Sequence, residues 1–407
     1  MRFTPIIASF VLATCSHGQH IVEILPPDGF EACSPRDLST SGDVVVGNAS
    51  GTGSRFAAFR WTPDTGSEVL PGLPGLPAKW ASAVSADGRT ILGSVESEFG
   101  EVAVVLWQAD GSIERLDLPT SFVRISGIGL SEDGTVAAGF GVDADDSVRA
   151  WRWTRQDGVR VLPLPAGTSV VIPLALSGDG SSITGFVRTA TSALGAPFRW
   201  TEQSGFEFLP MPPGSEGVQP RAASFSGNLI VGDWFSDALC LFPYAWSADR
   251  GFIELPPAGP ELAFGSGSVS PDGTVWIARP SDGALLWRED LGLYEFEDVL
   301  EARGVRLSSL RTNYISNISP DGTAIIGLSD DRPHAGSGVD RAWLITNFAI
   351  PTDCPPDTDL NGTLDAFDFL AFLDRFAEGD LRADLDGDGE LTGADLVAFQ
   401  AAFDAGC

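Results

Sequence analysis

The chain is short of the residues that nucleophilic and metal chemistry most often use. It has three histidines, three tyrosines, two methionines and five cysteines in 407 residues. His17 and His20 fall near the N-terminus and His334 in the acidic stretch SDDRPHAGSG, so a histidine-rich metal centre is excluded and a Ser-His-Asp triad would depend on His334 alone. No glycine-rich phosphate loop is present. No segment reaches about 18 continuous apolar residues, which argues against a transmembrane helix. Positive charge is scarce as well, with 25 Lys and Arg against 55 Asp and Glu and a formal net charge of -30. Phosphate backbones would be repelled, so nucleic acid is excluded as a partner and an anionic membrane surface is a poor one. Carboxylates are abundant, but no local motif nominates a pair for glycoside hydrolysis, and no catalytic residue is assigned from sequence.

What is present is a regular beat. Hydrophobic residues make up 43% of the chain, with 25 Phe and 11 Trp, enough for a large packed core. One element, as in VSADGRTILG, ends in glycine at Gly47, Gly93, Gly139, Gly185, Gly232 and Gly327, with Ala278 in the sixth copy. A second ends in tryptophan, at Trp61, Trp107, Trp153, Trp200, Trp246, Trp287 and Trp343, often as A-F-R-W-T. A third reads Gly-x-x-x-Leu-Pro, as in GVRVLP from Gly158. Each period of about 46 residues holds four strand-like runs separated by Asp-Gly or Gly turns, which is the content of a propeller blade. The expectation is a mainly β protein with a seven-bladed β-propeller over residues 21–347. The last unit has only three strands, and Ile21 to Pro27 at the other end is an orphan that would complete it. Glycine after aspartate serves the hairpin turns, the tryptophans fill layers between blades, and the arginine of R-W-T pairs with a neighbour's acidic turn. The Leu-Pro ends discourage pairing at outer edges. The irregular sixth and seventh units, including GLYEFEDVLEARGV and the loop at Ser329 to Asp340, are the places to look for a ligand.

The last 51 residues follow another rule. DTDLNGTLDAFD (Asp357 to Asp368) and DLDGDGELTGAD (Asp384 to Asp395) are two copies of one loop, 27 residues apart, each with glycine at position 6. Calcium takes six to eight oxygens, and such a loop can supply them. The candidate ligands are Asp357, Asp359, Asn361, Asp368 and the carbonyl of Thr363 for one ion, and Asp384, Asp386, Asp388, Asp395 and the carbonyl of Glu390 for a second. After each loop the apolar spacing becomes helical, at Phe369, Leu370, Phe372, Leu373 and Phe376, then at Leu396, Val397, Phe399 and Phe403. Pro351, Pro355 and Pro356 oppose a helix ahead of the first loop. From Asp353 onward there are 14 acidic and 2 basic residues, a net of -12 in 55 residues.

Paired calcium loops without entering helices resemble a dockerin, the module that joins secreted bacterial proteins to cohesin receptors. Cys354 and the terminal Gly406-Cys407 resemble the GC-type subgroup, and a disulfide between Cys354 and Cys407 is the corresponding hypothesis. The period over residues 21–347 is similar to the HAF-type repeat of extracellular bacterial proteins. These resemblances imply a small α-helical calcium-binding dockerin at 357–407, a linker at 348–356, two Ca2+ ions and a cohesin-like partner. MRFTPIIASFVLATCSHGQH reads as an export signal over residues 1–18, so the protein is expected to be secreted or attached to the cell surface. Cys15 lies where a lipoprotein would be processed, but plain cleavage is the reading adopted. Cys33 and Cys240 fall in non-adjacent units and read as isolated buried thiols. The expected function is a non-catalytic propeller that binds glycan or protein and is anchored through its dockerin. The alternative is a polysaccharide-degrading glycosidase or lyase delivered by that module.

Overall fold

A computed structural model describes residues 20–188, 195–236, 241–253, 265–270, 275–279, 285–288, 292–302, 314–329, 341–348, 357–358, 364, 366–378, 383, 385 and 391–405. Its strands form antiparallel meanders. Five sheets have four strands each, and a sixth, eight-stranded sheet is two such meanders joined at a single parallel bridge, Val148 to Val170. Counting those two separately and numbering along the chain, the first strands are Ala32–Leu38, Ala78–Val84, Phe122–Leu130, Val170–Leu176, Ser215–Ala223, Gly265–Val269 and Tyr314–Ile318. Each of these touches the first strand of the next sheet, and the last touches the first, so the seven edges close a ring around a channel.

The N-terminus completes the last sheet. His20–Ile24 pairs antiparallel with Arg341–Thr346, from His20 opposite Thr346 to Ile24 opposite Ala342. Arg341 adds a two-pronged ion pair, its Nε donating to Glu23 Oε1 at 2.7 Å and its Nη2 to Oε2 at 2.6 Å. The arginine's hydrogen bond holds the Glu23 carboxyl below its ordinary range. The pairing expected from Ile21 to Pro27 is therefore present but shorter, ending at Ile24.

The repeated glycines have a steric cause beyond the turns. In each inner strand with such a glycine opposite it, the ladder slips by one residue, as between Pro35 and Asp37 or Ala81 and Ala83. The bulge drives a carbonyl against the glycine. A Cβ at Gly47, Gly93, Gly139 or Gly185 would lie 2.0–2.2 Å from the oxygen of Ser34, Trp80, Ser126 or Ile172. Where the sixth sheet has Ala278, the pair across that position is lost, the register stepping from Gly265 opposite Arg279 to Ser268 opposite Ile277. Such bulges bend a strand and re-aim its side chains.

The Ser-x-Asp-Gly turns are hydrogen-bonded units. Ser85 Oγ donates to Asp87 Oδ1 at 2.7 Å and accepts the Thr90 N–H at 3.0 Å, and Ser131, Ser177 and Ser319 repeat the arrangement. The Ser85 hydroxyl is the main reason that the Asp87 carboxyl lies below its usual range. Neighbouring turns are linked by backbone bonds, from Thr40 N to Ala86 O, Ala86 N to Glu132 O, and Glu132 N to Gly178 O. The R-W-T arginines reach the adjacent turn's carbonyl rather than its acid: Arg152 donates to Gly180 O and Arg199 to Gly227 O.

Apolar layers fill the spaces between sheets. Val46 and Ala58 of the first sheet pack with Ala81, Ile91, Val105 and Trp107 of the second, and Trp153 and Trp200 are buried in later layers. The leucines of the Leu-Pro ends at Leu70, Leu162 and Leu209 are buried anchors, and Leu116, followed by Asp117, holds the equivalent place in the second sheet. The proline carbonyl can serve the next sheet: Pro71 O accepts the Trp107 indole N–H at 2.7 Å. GLYEFEDVLEARGV contains helix α1, Phe296–Ala302, whose Phe296, Val299 and Leu300 are buried against Ile315, Ile325 and Trp343. Those residues are wedge rather than ligand site; residues 330–340 lie outside the described residues. Cys33 is a buried free thiol whose Sγ donates to Ile24 O at 3.4 Å, and burial pushes its pKa up to about 12, so it is inert. Cys15, Cys240, Cys354 and Cys407 lie outside the described residues.

In the tail, α2 (Ala366–Glu378) and α3 (Gly393–Ala405) begin at the same position of each calcium-loop repeat. They pack through Phe372 and Phe399, stacked with centroids 4.5 Å apart. No described helix is long and apolar enough to cross a membrane.

Candidate functional site at the channel mouth

Inner-strand bulges set one residue per sheet at a common level, and at that level the repeats stop being alike. The column reads Arg36, Ser82, Ile128, Leu174, Arg221 and, in the seventh sheet, Ser316. All six line one cavity of about 360 Å³ at the end of the channel where the Ser-x-Asp-Gly turns lie. That volume is near the lower end of small-molecule sites. Two of the six are cationic in a chain whose net charge is -30.

Arg221 is held by its surroundings. Its Nε donates to Asp233 Oδ2 at 3.1 Å and its Nη2 to Gln219 Oε1 at 2.9 Å, and the Asp233 side chain is only 2% exposed. Arg36 is exposed on the cavity wall and makes no side-chain hydrogen bond or ion pair among the described residues. Beside it, Asp37 spans three sheets: Oδ2 accepts the Val84 N–H at 2.7 Å, and Oδ1 accepts the Leu38 N–H at 3.0 Å and Asn317 Nδ2 at 2.8 Å. Burial raises the Asp37 pKa to about 7 in spite of these donors, with the Glu132 charge adding to the rise. Glu132, also on the cavity wall, is shifted upward by burial and then by Asp179. The mouth thus combines guanidinium groups that can neutralise a carboxylate with a carboxyl, Asp37, that can accept or give a proton near neutrality.

None of these residues was singled out by motif. Their signal in the sequence is the column at a step of 46 or 47 residues, where serine and aliphatic side chains alternate with two arginines.

Of the proposed calcium ligands, Asp357, Asp368 and Asp395 are described, and all three are buried. Asp368 and Asp395 lie in the first turns of α2 and α3. Asp395 ties its loop together, Oδ1 accepting the Leu385 N–H at 2.9 Å and Oδ2 the Thr392 N–H at 2.7 Å. Thr358 Oγ1 donates to the Asp368 carbonyl, and Arg375 Nη2 to the Thr358 carbonyl at 2.6 Å. Asp359, Asn361, Thr363, Asp384, Asp386, Asp388 and Glu390 fall outside the described residues, and no cluster of three metal-binding side chains occurs among the described ones. Carboxylates buried at loop position 12 in a tail of net -12 fit a cation, because an ionised carboxylate leaves water only when charge or hydrogen bonds compensate it.

No family model and no curated protein matches the chain. Solved structures do. An oligogalacturonate lyase in complex with manganese is 12% identical, with a TM-score of 0.54 over 82% of this chain and 94% of that one. The oligogalacturonate lyase of Vibrio parahaemolyticus is 11% identical, with a TM-score of 0.54 over 80% and 93%. At such identity the likeness concerns fold, and the chain is similar to these proteins in having a propeller-like, mainly β architecture.

Proposed function

We propose that this chain is a secreted, carbohydrate-acting protein, a closed seven-bladed propeller whose channel mouth receives an acidic saccharide and whose C-terminal dockerin-like module binds two calcium ions. The observation that carries the reading is the placement of Arg36 and Arg221 at one level of a single channel. Charge over the rest of the molecule is screened within about 8 Å at physiological salt, so a short sugar acid entering the mouth responds to the local arginines. A nucleic acid would need a broad basic face instead. The fold's similarity to oligogalacturonate lyases supports the same class of ligand. If the ring is catalytic, its class is a carbohydrate lyase or hydrolase; in the lyase case arginine would neutralise the uronate carboxylate and a mouth carboxylate would take the adjacent C5 proton as the C4–O glycosidic bond breaks, leaving a C4=C5 double bond and the departing sugar's hydroxyl.

The second reading keeps the ring non-catalytic and makes display its purpose. It is favoured by the tail, where Leu370 and Val397 lie at matching positions of α2 and α3 and are 54% and 69% exposed. That pair would face a cohesin-like receptor. Calcium would be held by the ten loop residues named above and would contribute its binding energy to folding of the tail.

Incubation with oligogalacturonate separates the readings. Ultraviolet absorbance from an unsaturated product marks a lyase, new reducing ends without it mark a hydrolase, and calorimetric binding without either marks a binding module. Absence of all three would overturn the acidic-saccharide reading.

A further inference from the structure

Within the mouth, the fifth sheet differs from its neighbours. Its turn reads Ser224-Phe225-Ser226-Gly227, and Phe225 is 45% exposed on the cavity wall, with no ring contact among the described residues. The equivalent residue of the fourth sheet is Gly178. A Cβ there would lie 2.7 Å from Phe225 Cδ2 and 2.5 Å from Glu132 Oε1, so the absence of a side chain lets the aromatic ring and the carboxyl close together over the turn, and any larger residue would push both aside. Gly178 does not have a positive φ, and the backbone does not require glycine there. This contrasts with Gly139, whose Cβ would strike a backbone oxygen at 2.0 Å. Arg221 lines the same cavity from the same sheet, with two of its N–H donors spent on Asp233 and Gln219. A guanidinium has five, so three remain.

The geometry points to a uronate subsite built by Arg221, Phe225 and Glu132, the last two brought together over Gly178: the sugar ring lies in the cavity with its apolar face on the exposed side of Phe225, its carboxylate on the Arg221 fork and a hydroxyl on Glu132. It rests on the acidic-saccharide reading and makes it specific to one sheet. Aromatic rings cover the C–H face of a pyranose without spending hydrogen bonds, and a guanidinium held in place by a buried acid pairs with a planar carboxylate at little ordering cost. Arg36, which has no comparable brace or aromatic neighbour, would serve only as a more distant cation.

The test is calorimetric titration of the full chain, in calcium, with a galacturonate trisaccharide and with its neutral galactose counterpart. Wild type should bind the acid and not the neutral sugar. Phe225→Ala should weaken binding about three- to tenfold. Arg221→Lys, which keeps a charge beside Asp233 but loses the fork, should weaken it about tenfold or more. Gly178→Ala should weaken binding while leaving the melting temperature within a degree or so, because the Cβ meets side chains rather than backbone. Acid binding that survives all three changes but is lost in Arg36→Gln would overturn this subsite and leave the acidic-saccharide reading standing. Failure of wild type to bind the acid, or equal binding of the neutral sugar, would overturn both.

Discussion

In the ring, buried clusters join residues of neighbouring sheets, as Val46 and Ala58 pack with Ala81, Ile91 and Trp107; in the tail, the buried apolar set among the described residues is Phe372, Ala383 and Phe399, edged by Leu373, Phe376, Leu385, Leu391 and Phe403. The two regions also treat aspartate differently. Turn aspartates of the ring are satisfied by serine hydroxyls and backbone N–H groups, as Asp133 is by Ser131 and Thr135. Asp368 and Asp395 of the tail are fully buried, and Asp395 takes backbone N–H groups of Leu385 and Thr392 in place of a serine hydroxyl. A region of about 50 residues with so small a core usually needs a metal or a crosslink to fold, whereas the ring is large enough to be stable by apolar burial. On the proposed reading, the chain would join a body that folds without metal to a connector that folds with it, so that attachment could be regulated without altering the channel mouth.

The largest effect that would test the ring's side of this contrast is removal of the closing strand. Deleting residues 20–24 takes away the ladder to Arg341–Thr346, the Glu23–Arg341 pair and the buried Ile24. The ring's melting temperature should drop by roughly 10 °C or more. A change within error would mean that the ring is not closed through its N-terminus.

Glycine substitution comes next. Gly139→Ala places a methyl 2.0 Å from Ser126 O and 2.3 Å from the Trp151 ring, and chemical denaturation should show a loss of about 1–3 kcal/mol. Loss of cap geometry is smaller: Ser131→Ala leaves Asp133 and the Val136 N–H without their common partner and should cost about 1 kcal/mol. Intact stability in both variants would break the claim that the repeat's serine and glycine are structural.

The last test is of pH dependence. The carboxyl of Asp37 has an ordinary pKa of 3.8 and is raised to about 7 in the fold, so between those values the folded state holds a proton that the unfolded state has released. Stability from this group is present at low pH, falls as pH rises from about 4 to about 7, and is flat above. Asp37→Asn should remove that fall from the ring's melting profile measured across this range. An identical slope in the variant would place the titration elsewhere.

Much of this was legible in the sequence. The steps between Gly47, Gly93 and Gly139 give the sheets, and the orphan segment at Ile21 predicts closure, because period and strand content are local properties. The apolar spacing after each loop likewise predicts two helices, from Phe369 and from Leu396; both begin three residues earlier, at Ala366 and Gly393. The channel mouth was not legible in this way, because it arises where seven distant strands meet and because a bulge, caused by a glycine across the ladder, turns Arg36 and Arg221 toward it. In the sixth unit, the irregular sequence around Phe296 gave no hint that its apolar residues at 296, 299 and 300 form a short helix packed against the seventh sheet. The Leu-Pro ends were read as edge protection, but their leucines are core and their prolines are acceptors for the next sheet.

The most direct test of a metal-independent ring joined to a metal-dependent tail is differential scanning calorimetry of the full chain with calcium and with EDTA. Two transitions are expected, of which only the smaller one shifts or disappears on chelation, while the ring's stays in place. A single transition displaced as a whole by EDTA, or no response to EDTA at all, would contradict the account.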